Sequence, residues 1–287
     1  MSLPEAPARP PQLTPAYLAA KVREALDEDA ADRDVTTAAV VPAGLLAEAS
    51  LLARAPGVVA GLVVAEEVFR QVDGAIALEA VRPDGTAVGP GDELARVRGP
   101  LAGLLRAERT ALNFLQQLSG VATLTRRFAR AAGAAAVLDT RKTVPGLRPL
   151  QRYAVRAGGG VNHRYDLATA VLVKDNHVAA AGGTAAAIRL ARRAGLPVEV
   201  EVESLAELRQ ALAEEADAVL LDNMSASKVG EAVRLTAGRA VLEVSGGVTL
   251  ADVAAYAATG VDRISIGALT HSAPALDISM EVTRTWR

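Results

Sequence analysis

The sequence predicts an α/β protein in which a small α+β region precedes a parallel sheet closed into a barrel. Short β-like runs alternate with amphipathic helices through the second half of the chain, and this pattern is typical of repeated βα units. Six such units follow one another, and no GxGxxG motif follows the first run. Both observations favour a barrel over an open, doubly wound sheet, which is the alternative.

The composition sets limits on function. Of the 287 residues, 51% are hydrophobic but only 3% are aromatic, so we expect a core of Ala, Val and Leu. The 31 basic and 33 acidic residues give a net charge of -2, which indicates neither a nucleic-acid partner nor a membrane surface. The chain contains no cysteine, which excludes disulfides and thiolate chemistry and fits a cytoplasmic protein.

The N-terminal part predicts the small α+β region. Residues 1–12 contain four prolines and no apolar run, so we expect a mobile tail and no signal peptide. No uncharged apolar stretch reaches about 18 residues, so no membrane span is expected. Thr14 is suited to cap a helix over 15–27. An acidic turn, four β-like runs and a short helix follow, at 27–34, 47–53, 57–64, 76–81, 93–97 and 65–71.

A long helical pattern begins at Pro100, and Gly120 is expected to break or bend it. Near the C-terminus, apolar and polar residues alternate over 276–282, which predicts a strand that returns to the first region. We therefore predict an N-terminal domain over 1–117, joined by residues 275–287, and a barrel domain over 118–274.

The barrel region places polar residues where its β-like runs end. The predicted runs are 136–140, 170–174, 197–202, 218–222, 240–244 and 263–267, and helical patterns separate them near 147–157, 184–194, 205–214, 225–236 and 250–258. The carboxyl ends of barrel strands share one mouth, where active sites lie. The residues predicted to meet there are 139–143, 174–177, Glu201, Glu203, Asp222, Asn223, 245–247 and 267–271, among them Thr140, Arg141, Lys142, Lys174, Ser245, Gly246, Gly247 and Gly267.

The chemistry of these residue types suits a multiply anionic substrate. Arginine can grip a carboxylate with two hydrogen bonds, and lysine adds a point charge. Glycines let backbone N–H groups approach a phosphate. Glu201 and Asp222 supply oxygens of the kind that Mg²⁺ binds, together with water and substrate phosphate. The alternatives are structural ion pairs and ordinary glycine turns.

A glycine-rich turn at 158–160 leads into His163 and Arg164. Three successive glycines indicate tight turns or a close backbone approach. A single histidine is more often a packed residue than a ligand, but an adjacent arginine at a strand end favours anion binding.

These motifs resemble the quinolinate phosphoribosyltransferase family, also called nicotinate-nucleotide pyrophosphorylase (carboxylating). The resemblance runs from the long helix to near the C-terminus, and it is carried by the order and number of its motifs. The matching stretches are RTALNFLQ at 109–116, DTRKTVPGLR at 139–148, GGGVNHR at 158–164, KDNH at 174–177, EVEV at 199–202, LDN at 221–223, SGG at 245–247 and GALTHS at 267–272.

The resemblance implies an open-faced α+β sandwich followed by an incomplete, seven-stranded α/β barrel. It implies a homodimer or a dimer-based higher oligomer, in which Arg109 reaches the active site of the neighbouring subunit. Quinolinate would bind to Arg141, Lys142, His163 and Arg164. Phosphoribosyl pyrophosphate and Mg²⁺ would bind to Lys174, Glu201, Asp222 and the 245–247 loop, with the metal held indirectly by Glu201 and Asp222. Thr140 and Gly267 would also bind substrate. Lys142, Glu201 and Asp222 would be catalytic, and the reaction would yield nicotinate mononucleotide, pyrophosphate and CO2 for NAD biosynthesis.

Three other readings remain open at this point. The first is a paralogue of the same family that uses a different acceptor. The second is a Schiff-base aldolase with Lys142 or Lys174 as nucleophile. The third is a non-catalytic carrier or phosphate-sensing protein, although no lysine lies at the turn over 83–85 where a carrier would need one.

Overall fold

A computed structural model describes residues 10–287. Residues 1–9 of the predicted tail lie outside the described residues. Pro10 is already buried, and its carbonyl accepts a hydrogen bond from Leu13 N–H at 2.9 Å, so the tail prediction is wrong for residues 10–12. The chain forms two compact units. The first comprises the residues up to 126 with 144–159 and 272–287, and the second comprises 127–143 and 160–271. The functional domain boundaries given above stay a prediction.

The helices of the first unit begin with α1 (Pro15–Glu28), which starts as predicted because the Thr14 hydroxyl accepts a hydrogen bond from Tyr17 N–H at 3.1 Å. Its apolar stripe, with one residue per turn, is buried. A short 3-10 turn and a helix that the sequence did not predict follow, the latter capped by Asp34. The helices in chain order are α2 (Val35–Val40), α3 (Leu62–Val72), α4 (Leu101–Ala132) and α5 (Arg148–Ala157).

The sheet of the first unit is antiparallel and has the strand order β12-β1-β5-β3. Along β1, Ala47, Ala49 and Leu51 are fully buried, whereas Glu48 on the other face pairs with Arg98. The predicted returning strand is confirmed, since β12 pairs with β1. The strands are β1 (Leu46–Ala53), β3 (Ala77–Ala80), β5 (Glu93–Pro100) and β12 (Ile278–Trp286), with a separate pair of β2 (Gly57–Val58) and β4 (Ala87–Val88).

Two predictions for the first unit are wrong. The run over 57–64 is a strand only at Gly57–Val58, because Gly61 takes a φ of +108° and starts α3, where the Asp84 carboxylate accepts the N–H groups of Gly61 and Leu62. Helix α4 continues through Gly120, so the predicted break is wrong, while the alternative of a bend stays a prediction. That position lacks a side chain because the Pro274 carbonyl packs against it.

The second unit is built on a parallel sheet with the order β6-β11-β10-β9-β8-β7. Its strands are β6 (Ala136–Leu138), β7 (Val171–Val173), β8 (Val198–Val202), β9 (Ala218–Asp222), β10 (Val241–Ser245) and β11 (Arg263–Ser265). Its helices are α6 (Asp175–Ala181), α7 (Thr184–Ala191), α8 (Leu205–Ala213), α9 (Ala226–Thr236), α10 (Val253–Ala257) and α11 (Ala268–His271). Alternating βα elements around a parallel sheet confirm the predicted α/β barrel class.

The count of seven strands is not met among the described residues, because the parallel sheet has six. A single parallel bridge joins Val161 to Leu138 beside β6. Beyond Val161, the backbone N–H of His163 donates to the carboxylate of Asp139 at 2.7 Å, and the side-chain amide of Asn162 donates to the same carboxylate at 2.6 Å. Among residues 10–287, no helix is both long and apolar enough to cross a membrane.

Candidate active site

A cavity of about 800 Å³ opens at the carboxyl ends of the strands in the second unit. Many of the residues predicted to meet at the barrel mouth line it, and so do His163 and Arg164; the predicted ones are Thr140, Arg141, Lys142, Lys174, Glu201, Asp222, Asn223, Ser245, Gly246, Gly247, Gly267, Ala268 and His271. The other predicted strand-end residues do not line it, namely Asp139, Thr143, 175–177, Glu203 and 269–270. Arg109 was expected at the neighbouring subunit's site and is an exposed residue of α4 in the first unit, so that expectation stays a prediction. The geometry thus brings the predicted residues together, while their individual roles stay predictions.

The acidic side of the cavity is formed by Glu201 and Asp222 on the neighbouring strands β8 and β9. Lys174 forms an ion pair with Glu201. Burial raises the pKa of the Asp222 carboxyl, and the negative charge of Glu201 raises it further. Two carboxylates that repel each other at the edge of an otherwise cationic cavity favour a bound cation.

The glycine loop after β10 is held by Asn223. Gly246 and Gly247 have φ values of +103° and +62°, which L-residues rarely adopt. Asn223 itself has a φ of +52°, and its side-chain amide donates to the Asp222 carboxylate at 2.7 Å. The loop and the carboxylate are therefore fixed by one residue.

His163 lies between the cavity and a buried acidic pair inside the barrel. Its Nε2 atom is 3.2 Å from Glu199 and 3.3 Å from Glu243, while its Nδ1 atom accepts a hydrogen bond from Arg164 N–H at 2.7 Å. Burial lowers the pKa of His163, but hydrogen bonds to the two glutamates outweigh it and raise the pKa to about 9. The Arg164 contact opposes this, because Nδ1 can accept only when it is unprotonated. In both charge states, the ring in this orientation keeps a proton on Nε2.

Several residues that line the cavity were not singled out from the sequence. They include Glu243, Thr249 and Ser265. Glutamates at the centre of the apolar strands VEVEV and VLEVS were a usable signal for Glu199 and Glu243, because a charge that faces a barrel interior needs a partner. Asn223 and His271 were predicted to lie at the mouth from their positions after β9 and β11 alone.

The residues that could hold a metal fall into two groups. Glu201 and Asp222 fit Mg²⁺, because both present carboxylate oxygens to the cavity and repel each other when no cation is bound. His163, Glu199 and Glu243 also bring possible ligand atoms within 4.8 Å of one another. This second group does not fit, since a proton occupies Nε2 while Nδ1 accepts from Arg164.

The fold and the cavity define a barrel-type enzyme with a mouth suited to a multiply anionic substrate. Residues 34–119 match the N-terminal domain, and residues 121–281 the C-terminal domain, of the family described as quinolinate phosphoribosyl transferase. The chain belongs to the quinolinate phosphoribosyl transferase family.

Relatives and solved structures agree with this assignment. A nicotinate-nucleotide pyrophosphorylase [carboxylating] of Mycobacterium leprae is 47% identical over 273 residues, which are 91% of this chain and 95% of the relative. A probable enzyme of the same name from Bacillus subtilis is 43% identical over 82% of this chain and 83% of its own length. The structure of the nicotinate-nucleotide pyrophosphorylase from Francisella tularensis has a TM-score of 0.91 at 40% identity and covers 94% of this chain and 98% of that chain.

Proposed function

We propose that the protein transfers a phosphoribosyl group from phosphoribosyl pyrophosphate to quinolinate and releases CO2. The products are nicotinate mononucleotide and pyrophosphate, which places the reaction in NAD biosynthesis. The observation that carries this proposal is the single cavity that gathers the cationic, acidic and glycine-loop residues of a family named for this reaction.

The cationic side of the cavity is assigned to the dicarboxylate. Arg141, Lys142 and Arg164 offer charged donors there. An arginine–carboxylate contact contributes about 1.5–3 kcal/mol, so a few of them account for selective binding of two carboxylates. His163 is included because it lines the cavity, and a direct contact of its ring with substrate stays a prediction, since both nitrogens already have partners in the chain.

The opposite side is assigned to phosphoribosyl pyrophosphate. Backbone N–H groups of the 245–247 loop and of Gly267 suit phosphate oxygens, Lys174 adds charge, and Thr140 adds a hydroxyl. Glu201 and Asp222 would hold Mg²⁺, mostly through water and substrate oxygens. When bound, the metal offsets negative charge on the pyrophosphate.

The chemistry needs no covalent enzyme intermediate. The bond from ribose C1 to pyrophosphate breaks and leaves positive charge on the sugar, which the carboxylates of Glu201 and Asp222 stabilise. The pyridine nitrogen then forms the new bond to C1. The cationic ring loses its 2-carboxylate as CO2, the electron pair stays at ring C2, and a proton replaces the carboxylate. Lys142 orients the departing carboxylate.

The assembly and the location belong to the same proposal. A homodimer would bring the exposed Arg109 of one subunit to the cavity of its partner. We also infer a cytoplasmic enzyme that works without a nucleic-acid or membrane partner. Sedimentation of the purified protein tests the first statement, and cell fractionation tests the second.

The test of activity mixes the protein with quinolinate, phosphoribosyl pyrophosphate and Mg²⁺, and measures CO2 and nicotinate mononucleotide. Nicotinate as acceptor is the control. We expect turnover when quinolinate is the acceptor and none when nicotinate replaces it. Equal activity with nicotinate would move the protein to a non-carboxylating reaction, and borohydride trapping of a substrate–lysine adduct would favour an aldolase.

A further inference from the structure

Two buried glutamates lie beneath the candidate active site without a place in the chemistry above. Glu199 of β8 has 9% of its surface exposed and Glu243 of β10 has 0%. The strands that carry them flank β9, so both side chains enter the same part of the barrel interior. A buried carboxylate is costly unless it is well partnered, so this pair needs an explanation.

The donor that the two glutamates share is the His163 ring. Nε2 lies 3.2 Å from an oxygen of Glu199 and 3.3 Å from an oxygen of Glu243. The Ser265 hydroxyl donates to the same oxygen of Glu243 and fixes that carboxylate. The ring is thus held from below by contacts that originate on three strands, β8, β10 and β11.

The other side of the His163 ring fixes the position of the Arg164 backbone. Nδ1 accepts the Arg164 N–H at 2.7 Å, and the His163 N–H donates to Asp139 at 2.7 Å. The Arg164 guanidinium donates to the carbonyl of Ala170 at 3.0 Å and lines the cavity. A continuous set of hydrogen bonds therefore leads from the buried glutamates to a cation of the mouth.

We propose that Glu199 and Glu243 are positioning residues that act through His163 to aim the Arg164 guanidinium at a substrate carboxylate. The role of Arg164 rests on the proposed function. The positioning requires the neutral ring with its proton on Nε2, because Nδ1 accepts the Arg164 N–H only when it is unprotonated. The positioning favours binding by preorganisation, because an arginine that is already held in place loses less conformational entropy when the carboxylate binds.

The test compares Glu243→Ala, Glu243→Gln and Glu199→Gln, with Glu231→Gln on the exposed surface of α9 as the control. The alanine variant removes one of the two acceptors for Nε2–H and leaves Glu199, whereas glutamine keeps an oxygen at position 243. We expect Glu243→Ala to raise the KM for quinolinate about tenfold, and both glutamine variants to raise it about threefold, because a misaimed arginine loses part of its charge-assisted bond. The kcat and the KM for phosphoribosyl pyrophosphate should stay within about twofold.

A second measurement separates this proposal from the proposed function. The ¹⁵N and ¹H shifts of the Arg164 backbone amide, recorded without substrate, should move in Glu243→Ala and stay in place in Glu231→Gln. If wild type does not turn over quinolinate, the amide shifts still test the positioning.

Three results would overturn the proposal. They are an unmoved Arg164 amide, an equal rise of both KM values, and a fall of kcat at constant KM for quinolinate. Should Glu243→Ala fail to fold, Ser265→Ala replaces it, because it removes only the hydroxyl that fixes Glu243.

Discussion

The backbone N–H of Asn223 donates to the carbonyl of Ser245 at 2.9 Å, and this bond joins the end of β9 to the start of the glycine loop. The same bond brings the Asn223 side chain against Gly246, so that a Cβ at Gly246 would overlap it. Gly247 also has a positive φ, but a Cβ there would meet nothing within 4 Å. Two adjacent glycines thus serve different needs.

We predict that Gly246→Ala is far more damaging than Gly247→Ala. At Gly247 the cost is the left-handed backbone, about 1–2 kcal/mol of unfolding free energy. At Gly246 the same cost is joined by displacement of Asn223, which also holds Asp222. Urea unfolding measures the free energies, and the KM for phosphoribosyl pyrophosphate measures the effect on the loop. Equal losses of unfolding free energy in the two variants would show that the contact between Gly246 and Asn223 does not contribute to stability.

A second prediction concerns Gly120 within α4. Replacing a glycine inside a helix by alanine normally stabilises a protein by about 0.5–1 kcal/mol. Gly230 in α9 has room, since the atom nearest to the new Cβ is 3.7 Å away, so Gly230→Ala should follow this rule. At Gly120 the Pro274 carbonyl occupies the space, and Gly120→Ala should destabilise instead. Thermal unfolding of the two variants should give shifts of opposite sign.

The two glycines also show where prediction from sequence ends. Gly120 looks like a helix breaker because local propensity is all that a single sequence offers. Its true partner, Pro274, is remote in the chain and is revealed only by packing. The polar strand ends such as Glu201 and Asp222 were predictable, because parallel strands bring their carboxyl ends to one edge whatever the side-chain detail.

The interior of the barrel was less accessible to sequence analysis. Glu199 lies two residues before Glu201 on the same strand, and both have the same local sequence context. Nothing in that context indicates that Glu199 contacts His163. That contact depends on the path of the chain through 161–163, and the sequence indicates this path only by the glycines at 158–160 that precede it. The seventh strand is replaced by a single bridge at Val161, and just beyond it the carboxylate of Asp139 accepts the backbone N–H of His163, which a strand would use for pairing.

A third prediction follows from the raised pKa of His163, which goes from 6.5 to about 9 on folding. The protonated His163 ring therefore stabilises the folded state. This contribution to the unfolding free energy is fully present below pH 6.5, falls as the pH rises towards 9, and is absent above. The difference in unfolding free energy between wild type and His163→Gln should shrink over this interval. Ring ¹⁵N shifts measure the pKa directly. A ring that remains neutral at pH 6.5 would mean that the Arg164 N–H contact outweighs the two carboxylates.

A fourth prediction concerns Asp222, whose pKa is raised from 3.8 by burial and by the charge of Glu201. Above its folded pKa, the ionised carboxylate is less favourable in the folded chain than in the unfolded one. Asp222→Asn should therefore raise the melting temperature at pH 7 and lose most activity, and its stabilising effect should vanish below pH 3.8. A variant that is less stable than wild type at pH 7 would contradict the raised pKa.

The last prediction tests the shared site. Arg109→Ala and Lys142→Ala should each lose most activity, because one removes the arginine offered to the partner and the other removes a cation of the cavity. In a mixed dimer, the Arg109→Ala subunit keeps an intact cavity and receives Arg109 from its partner. Random mixing at equal amounts gives half mixed dimers with one complete site each, so activity should return to about a quarter of wild type. Mixing two batches of Arg109→Ala is the control. Activity that stays at the level of the separate variants, in samples shown to have exchanged subunits, would mean that Arg109 serves its own chain.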